Sequence, residues 1–377
     1  MVDRGLEAHG TSGRRHRRPG DGRAREALDG GRRGRCPCCI VSADTLKRLA
    51  GDHSLSEAER RSFADTLRID VELRRLRTQA TRLSRVVRLV APAHVGSGVA
   101  VPAITVFDCH QTSTLPGSPV LRPATSRDAT IKRVYDCTAS VIDFYASVFG
   151  HNSINGAGMT VVSSVHYGTR YNNAFWNGSQ MAYGDGDGAI FVDFSRAPDV
   201  VGHELTHGVT QHSLQLTYTG EPGGLNEGLS DCFGTMFRQW QAKQSVSEAD
   251  WLIGRDIMGP TALARGYTCL RDMADPAATH CLSPQPSRYP DIDPTMDPHL
   301  SSGPINLAFY RIATAVGGNS WDKVGRVWYR AVTAYGAAPN LKMKVFAERT
   351  RRAAADLYPG DTSLADAVGA GWKAVGL

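Results

Sequence analysis

The stretch of sequence that decides the interpretation is GHELTHGVT, residues 202–210. It contains the pattern H-E-x-x-H, in which His203 and His207 are four residues apart. On a helix such residues lie on one face, so both imidazoles can reach a single ion, and Glu204 lies beside them. The alternative is a helix with two ordinary surface histidines.

A second block, NEGLSD at residues 226–231, places Glu227 twenty residues after His207 and opens a second predicted helix. Zinc hydrolases need three protein ligands and one open position for water. His203, His207 and Glu227 supply three. Asp231, one turn after Glu227, can accept the second ring N–H of a ligand histidine. We therefore predict a catalytic zinc site rather than a helix with a solvated Glu and Asp.

Both blocks, together with YNNAFW at residues 171–176, resemble signatures of the thermolysin family of zinc metalloendopeptidases, at that family's spacing. The resemblance runs from about Phe107 to Leu377. The N-terminal part is similar to the short propeptide of the protealysin subgroup, through residues 39–41 and the leucine-rich basic helix behind them. It differs at Ser42-Ala43, where that subgroup has Pro-Pro.

The resemblance implies roles for residues around the metal. Glu204 would take a proton from the zinc-activated water, and His299 and Tyr218 would face the developing oxyanion. Asp293 and Asp297 both precede the histidine, so the carboxylate that orients it stays open. The resemblance also implies that an edge strand formed by Asn173, Ala174 and Trp176 receives an extended peptide. Asn226 and Arg271 would hold the carbonyls of that peptide.

A specificity pocket beside the metal is implied as well, lined by five apolar side chains: Phe191, Phe194, Val200, Ile253 and Leu270. Filling it with a Leu or Phe side chain is worth about 1.5 to 3 kcal/mol, whereas a charged side chain would be left unpaired. We expect cleavage on the amino side of bulky apolar residues. Phe194 stands where the family often has a smaller aliphatic residue, which favours Leu or Ile over Phe.

Calcium is a possible further cofactor in this family. Secreted relatives place acidic calcium ligands in the helical lobe, where this chain has Arg238, Leu252 and Arg255, while Asp199 and Asp250 remain. We expect the paired calcium site to be lost.

Composition and resemblance divide the chain into four segments. Residues 1–35 combine ten Arg with Gly and few large apolar side chains, so we expect a disordered tail. Residues 36–95 resemble a propeptide. Residues 96–212 are predicted to form a β-rich lobe that ends in the H-E-x-x-H helix, and residues 213–377 a mainly helical lobe. The predicted fold is α+β and thermolysin-like, with the zinc site in the cleft between two lobes.

Periodicity predicts the individual elements. Ser56 and Glu59 form a capping box, and the apolar residues behind it repeat every four positions (Phe63, Leu67, Val71), which predicts an amphipathic helix over residues 56–78. Alternating runs predict strands at 103–107 and 160–166. Further helices are predicted at 129–149, 199–213, 225–241, 304–316, 320–335 and 341–357.

The charge distribution bears on partners. Residues 1–95 carry 21 Lys and Arg against 12 Asp and Glu, whereas residues 96–377 carry 22 against 25. Because the basic excess lies outside the body that holds the site, we expect peptide substrates, the chain's own propeptide in cis and no nucleic acid. Two rival interpretations are a silent zinc-binding scaffold, and a nucleic-acid-binding protein that uses Arg14–Arg18 and Arg32–Arg35.

Location and cysteine chemistry are less constrained. Leu89–Phe107 is weakly charged but contains Pro, Gly and His94, so no membrane span is expected. The family resemblance favours a secreted monomer, although no signal peptide is recognisable, and a cytoplasmic protein is the alternative. The Cys36–Cys39 cluster contains the pattern C-x-x-C, but no second pair of metal ligands follows it at the spacing of a zinc finger, so a second zinc site is not expected. Cys269 with Cys281, and Cys109 with Cys137, are close enough in sequence to close loops, but spacing does not give the connectivity.

Overall fold

The structure is a computed structural model that describes residues 38–87 and 103–377. The predicted tail, residues 1–35, and the arginine clusters within it lie outside the described residues. So does most of the weakly charged stretch that precedes the first long strand.

A six-stranded mixed sheet forms the core of the first part of the chain. Its strands are β1 (Cys38–Cys39), β2 (Ile104–Asp108), β3 (Ser118–Pro119), β4 (Val161–Val165), β5 (Ala174–Trp176) and β6 (Met181–Tyr183). They lie in the order β1-β5-β6-β4-β2-β3, with β2, β4 and β6 parallel and the other neighbours antiparallel. The two predicted strands are confirmed as β2 and β4. The edge of the sheet at β5 is covered by β1, which comes from the N-terminal segment.

Helices make up most of the rest. They are α1 (Ala43–Ala50), α2 (Glu57–Val87), α3 (Ala129–Phe149), α4 (Pro198–His212), α5 (Gly220–Ala242), α6 (Pro260–Ala264), α7 (Pro298–Ser301), α8 (Gly303–Val316), α9 (Lys323–Thr333), α10 (Met343–Leu357) and α11 (Thr362–Ala374). A short hairpin of β7 (Leu252–Ile253) and β8 (Arg271–Asp272) interrupts the helical part. The predicted helices are confirmed, and the α+β fold with them. Periodicity did not predict α1, α6, α7 and α11.

The N-terminal helix α2 begins as its capping box predicts and then departs from the expected pattern. The Ser56 amide donates to Glu59 Oε2 at 2.7 Å, and the Glu59 amide donates to Ser56 Oγ at 3.3 Å. Phe63 is buried, but Val71 is 53% exposed. Four-residue steps drift around a helix of 3.6 residues per turn, so an apolar repeat of four does not stay on one face. Among residues 64–73 the fully buried positions are polar instead: Thr66 and Asp70.

Helices α4 and α5 pack closely, and glycine makes this possible. A Cβ on Gly234 would lie 2.5 Å from the Asp199 carbonyl oxygen and 3.0 Å from the His203 amide nitrogen. A Cβ on Gly202 would lie 3.1 Å from the Gly234 Cα. The two helix backbones therefore meet without intervening side chains, which brings residues of α5 within reach of the motif on α4.

Among the helices in residues 38–87 and 103–377, none combines the length and apolar character needed to cross a membrane. The longest, α2, spans 31 residues but is rich in Arg, Glu and Asp.

Candidate metal centre and substrate cleft

Three buried side chains on α4 and α5 converge on one point. His203 Nε2 and His207 Nε2 are 3.0 Å apart, and each lies 3.3 Å from an oxygen of Glu227. Atoms about 2.0 to 2.1 Å from a tetrahedral zinc ion stand about 3.3 Å from one another, so the spacing fits one ion. Glu227 Oε2 is buried without a hydrogen-bond partner among the described residues. The donor set and the orphaned oxygen both fit a zinc ion.

The opposite ring nitrogens of the two histidines are held by neighbours on α5. His203 Nδ1 donates to Asp231 Oδ1 at 2.8 Å. His207 Nδ1 lies 3.3 Å from Asn226 Oδ1 and 3.0 Å from Ser230 Oγ. With the proton on Nδ1, each ring directs its Nε2 lone pair toward the convergence point. Asp231 thus bonds the second ring nitrogen of His203, and Asn226 contacts His207 on the motif helix.

Burial and mutual charge set the protonation of this group. Burial lowers the pKa of His207 to about 3, so its imidazole is neutral and can ligate a cation. Burial alone would raise the pKa of Glu227, but His299 and His207 outweigh it and hold the pKa below its usual value. Burial, with the nearby Glu227, raises the pKa of Glu204 well above the usual range for a carboxyl. The site thus combines a neutral imidazole at His207, one anionic ligand at Glu227 and one carboxylate, Glu204, that binds protons readily.

Glu204 lies at the boundary between the metal group and the sheet. Its Oε2 accepts a hydrogen bond from the Trp176 amide at 2.9 Å. Its Oε1 is buried with no hydrogen-bond partner among the described residues. One oxygen therefore anchors the side chain to β5 while the other is available to a reacting group.

Tyr218 and His299 both approach Glu227 at the convergence point. Tyr218 Oη is 3.3 Å from His299 Nε2, and the hydroxyl also donates to a Glu227 oxygen. His299 Nδ1 bonds Asp297 Oδ1 at 2.7 Å, and the same oxygen accepts the His299 amide at 3.0 Å. The open choice of carboxylate is thus decided in favour of Asp297. The D-x-H spacing together with a helix N-cap was the signal that could have indicated it.

The electrostatics of His299 follow from these contacts. Burial alone would lower its pKa, but Glu227 and Asp297 raise it above the usual value. Asp297, which is half-buried, has its pKa held low by the His299 imidazole, which outweighs the opposing effect of burial. The pair therefore favours a protonated imidazole, which can donate from Nε2.

The chain's own residues 38–41 occupy the cleft beside this centre. Strand β1 pairs antiparallel with β5, and the Ile40 amide donates to the Ala174 carbonyl at 3.1 Å. Asn173 bonds both polar backbone groups of Val41, at 3.0 and 3.1 Å. Arg271 Nη1 donates to the Ile40 carbonyl at 3.0 Å. The His299 Nε2 donates to the Cys39 carbonyl. Three of the residues expected to hold a peptide backbone therefore hold this one.

Arg271 also couples the cleft to the metal group. Its Nε and Nη2 donate to the two oxygens of Asp231 at 2.8 and 2.7 Å, and Asn306 Nδ2 donates to the same carboxylate at 2.9 Å. Burial opposes the charge of Arg271, but Asp231 raises its pKa above the usual value. A bidentate, buried pair of this kind fixes the guanidinium that contacts the peptide carbonyl.

Helix α2 adds a buried polar contact to the segment before β5. Asp70 accepts from the Tyr171 hydroxyl and, at 3.0 Å, from Asn173 Nδ2. Thr66 Oγ1 accepts the Asn172 amide at 3.0 Å. Sequence reasoning missed these residues because the apolar pattern of the helix points elsewhere.

The five residues predicted to line a specificity pocket are all buried in the main hydrophobic core, together with Ile40 and Val41. The rings of Phe191 and Phe194 are 5.3 Å apart, and Phe63 of α2 packs edge-on against Phe191 at 6.3 Å. This region is therefore covered by the N-terminal segment.

An arginine lies among the acidic residues in the region where the sequence predicts a lost calcium site. Arg238 Nη1 donates to the Leu252 carbonyl at 3.0 Å, and its Nη2 lies 3.4 Å from both Asp250 and Asp256. Arg255 pairs with Asp250 at 2.8 Å. A fixed positive charge thus stands beside carboxylates that could otherwise attract a cation.

Comparison with known families gives the identity of this arrangement. Residues 125–211 match the model described as "Thermolysin metallopeptidase, catalytic domain", and residues 214–377 match "Thermolysin metallopeptidase, alpha-helical domain". The chain belongs to the thermolysin family of metallopeptidases. Membership makes it a metalloendopeptidase, a hydrolase of peptide bonds, and implies zinc as the metal. The resemblance seen in the sequence is confirmed.

Individual relatives within the thermolysin family support the same conclusion. An "Extracellular metalloprotease" of Pectobacterium carotovorum subsp. carotovorum is 38% identical over 284 residues, 72% of this chain and 80% of that protein. A "Thermolysin" of Alicyclobacillus acidocaldarius subsp. acidocaldarius is 38% identical over 259 residues, 67% of this chain and 46% of that protein. The precursor of protealysin, a metalloproteinase from Serratia proteamaculans, superposes with a TM-score of 0.76 at 32% identity, covering 90% of this chain and 99% of that structure. The likeness to a precursor agrees with a zymogen.

Proposed function

We propose that the protein cuts peptide bonds with a zinc ion held by His203, His207 and Glu227 and with Glu204 as general base. The observation that carries this proposal is Glu204 itself: a buried carboxylate beside the ligand group, with one oxygen anchored to β5 and the other unpartnered. A silent scaffold would have no use for such a group.

Bound zinc supplies Lewis-acid polarisation and lowers the pKa of a water molecule toward 7. Glu204 accepts the proton of the attacking water and passes it to the leaving nitrogen, a role that suits its raised pKa. His299 donates from Nε2 to the oxyanion that develops on the carbonyl, and Asp297 keeps the ring protonated and oriented. Tyr218 lies 3.3 Å from the same nitrogen and donates to the same oxyanion.

We propose that a substrate takes the place that residues 38–41 have in this structure. It would add as an antiparallel strand to β5, with Asn173 on its amide and carbonyl groups and Arg271 on a second carbonyl. The buried apolar residues beside it, Phe191, Phe194, Val200, Ile253 and Leu270, favour a bulky apolar side chain. Cleavage on the amino side of such a residue, with Leu or Ile preferred, is the expected specificity.

We further propose that residues 36–95 are a propeptide that inhibits the enzyme in cis. Support comes from β1, which fills the strand position a substrate needs, and from α2, whose Asp70 and Thr66 bind the segment leading into β5. Extended backbone and buried polar contacts together keep the cleft closed until the segment is removed. The body, residues 96–377, would then be the mature enzyme.

Export and calcium independence complete the proposal. We infer that the enzyme is a secreted monomer, with a cytoplasmic protein as the alternative; one relative named as extracellular supports secretion. Comparing enzyme in medium and cell lysate of the native host would decide between them. The Arg238 contacts support a calcium site that no longer binds its ion.

A digest of a peptide library tests the function. The chain, activated by removal of its N-terminal segment, is incubated with the library with and without a zinc chelator, and new N-termini are identified by mass spectrometry. We expect Leu, Ile and Phe at the new N-termini and no cleavage with chelator. Zinc binding without cleavage would favour the scaffold interpretation, and steeply salt-dependent binding to nucleic acid would favour the other rival.

A further inference from the structure

Two cysteines in the helical part of the chain meet side by side, away from the metal centre. The sulfur atoms of Cys269 and Cys281 are 3.7 Å apart, and both residues are fully buried. Their backbones form a parallel bridge, framed by hydrogen bonds from the Leu282 amide to the Cys269 carbonyl at 2.9 Å and from the Thr268 amide to the His280 carbonyl at 3.0 Å.

The backbone geometry at this bridge suits a covalent link. Paired strands lie about 4.7 to 4.9 Å apart, which falls within the Cα separation of about 4.4 to 6.8 Å that disulfides span. Apolar side chains surround part of the pair, since Ala278 belongs to the same buried cluster and Leu252 packs against it. Two thiols in such a place gain little from hydrogen bonding, so a bond between them leaves no polar group unsatisfied.

We propose that Cys269 and Cys281 form a disulfide. The two thiols lose two protons and two electrons as one S–S bond forms. A small-molecule disulfide such as oxidised glutathione takes up the electrons and protons and is reduced to two thiols. The oxidising medium outside the cell is where this would occur, a point that rests on the secretion proposed above.

A metal site is the competing use of the same cysteines, because a ring nitrogen of His280 and the two sulfur atoms all lie within 4.8 Å of one another. The geometry favours the disulfide for two reasons. The side chain of His280 is 40% exposed, whereas both cysteines are fully buried. Within the described residues the group offers three donors, whereas a structural zinc site is closed by four.

The disulfide would act on the wall of the cleft. The loop it closes, residues 269–281, contains Leu270 and β8, and β8 carries Arg271 with its bonds to Asp231 and to the peptide backbone in the cleft. Tying the first residue of this loop to the last limits the motion of the strand that positions the guanidinium.

Tryptic mapping of the full chain tests the proposal. The Glu204→Gln chain is used, so the test does not depend on catalysis. It is incubated with oxidised glutathione, alkylated under denaturing conditions without reductant, and digested. Trypsin cuts after Arg265, Arg271 and Arg288, which separates the two cysteines onto peptides 266–271 and 272–288. We expect one cross-linked species, two hydrogen masses below the sum, that disappears after reduction. Alkylation of both cysteines after oxidation would overturn the proposal.

Two measurements separate the disulfide from its rival. Cys281→Ser should abolish the cross-linked species and leave the zinc content unchanged, and Cys137→Ser, a buried cysteine on α3, should leave the cross-linked species intact. Loss of one metal equivalent in Cys281→Ser would show that the cysteines bind a metal and would overturn the disulfide.

Discussion

Glu204→Gln is the sharpest perturbation of the proposed mechanism. Glutamine has nearly the volume of glutamate, and its carbonyl oxygen can still accept the Trp176 amide that Glu204 Oε2 accepts at 2.9 Å. The other carboxylate oxygen has no hydrogen-bond partner to lose among the described residues. The substitution therefore removes proton-accepting capacity while leaving packing and the three ligand side chains in place.

The expected magnitude follows from the role. A positioned general base contributes about 10² to 10⁴ in rate, or about 3 to 5 kcal/mol of barrier. We expect kcat/KM to fall by that factor, with KM nearly unchanged. The spacing of 3.0 to 3.3 Å among the ligand atoms of His203, His207 and Glu227 does not depend on residue 204, so zinc should remain at one equivalent.

The assay combines hydrolysis of a quenched fluorescent peptide with metal analysis of the same preparation. Glu221→Gln is the matched control, because Glu221 is a largely buried carboxylate on α5 that bonds the Met343 amide at 2.7 Å, away from the ligand group. It should retain turnover. His203→Ala should instead lose zinc. Turnover of Glu204→Gln within about threefold of the wild type, at full zinc content, would refute the reasoning, since a general base contributes far more than that.

Further outcomes are expected from single changes elsewhere. Asp297→Asn removes an anion beside His299 and so lowers the pKa of the His299 imidazole. Because the protonated ring is then lost at lower pH, the alkaline limb of the kcat/KM profile should shift to lower pH. The rate should fall about tenfold, and a pH profile measures both effects. Asp70→Ala leaves two buried hydrogen-bond donors unsatisfied at a cost of about 1 to 3 kcal/mol each, which weakens the binding of the N-terminal segment. The initial rate of peptide hydrolysis by the unprocessed chain should therefore rise at least about tenfold. The exposed control Asp65→Ala should give no such rise. Phe194→Leu should increase cleavage before Phe relative to Leu in a competition digest; an unchanged ratio would contradict the pocket assignment. Excess calcium should move the melting temperature by less than about 2 °C in a thermal scan, and a rise of about 10 °C or more would reveal a working site.

The sequence predicted the parts of the site whose geometry is local. His203 and His207 face one point because they are four residues apart on a helix, and Glu227 and Asp231 are likewise one turn apart on the next. Such relations survive any tertiary arrangement, so motif and spacing sufficed to place the two members of each pair on one helix face. The capping box at Ser56 belongs to the same class.

What the sequence left open depended on contacts between distant positions. The choice of Asp297 over Asp293 was decided by where α7 sets its N-cap, and the buried face of α2 by the polar segment against which it packs. Periodicity does not identify such partners, because the face of a helix that becomes buried depends on the surface that the rest of the fold packs against it.

The sequence by itself determined the family and most of the helices, since motifs and periodicity rest on short-range spacing, and it predicted His203, His207 and Glu227 as metal ligands. Only the tertiary structure decided that residues 38–41 lie in the cleft, pairing across more than a hundred residues with Asn173, and that Cys269 meets Cys281 across an isolated β-bridge. Closing a long loop costs entropy that only the assembled core repays, so these pairings exist as properties of the whole fold and not of any segment.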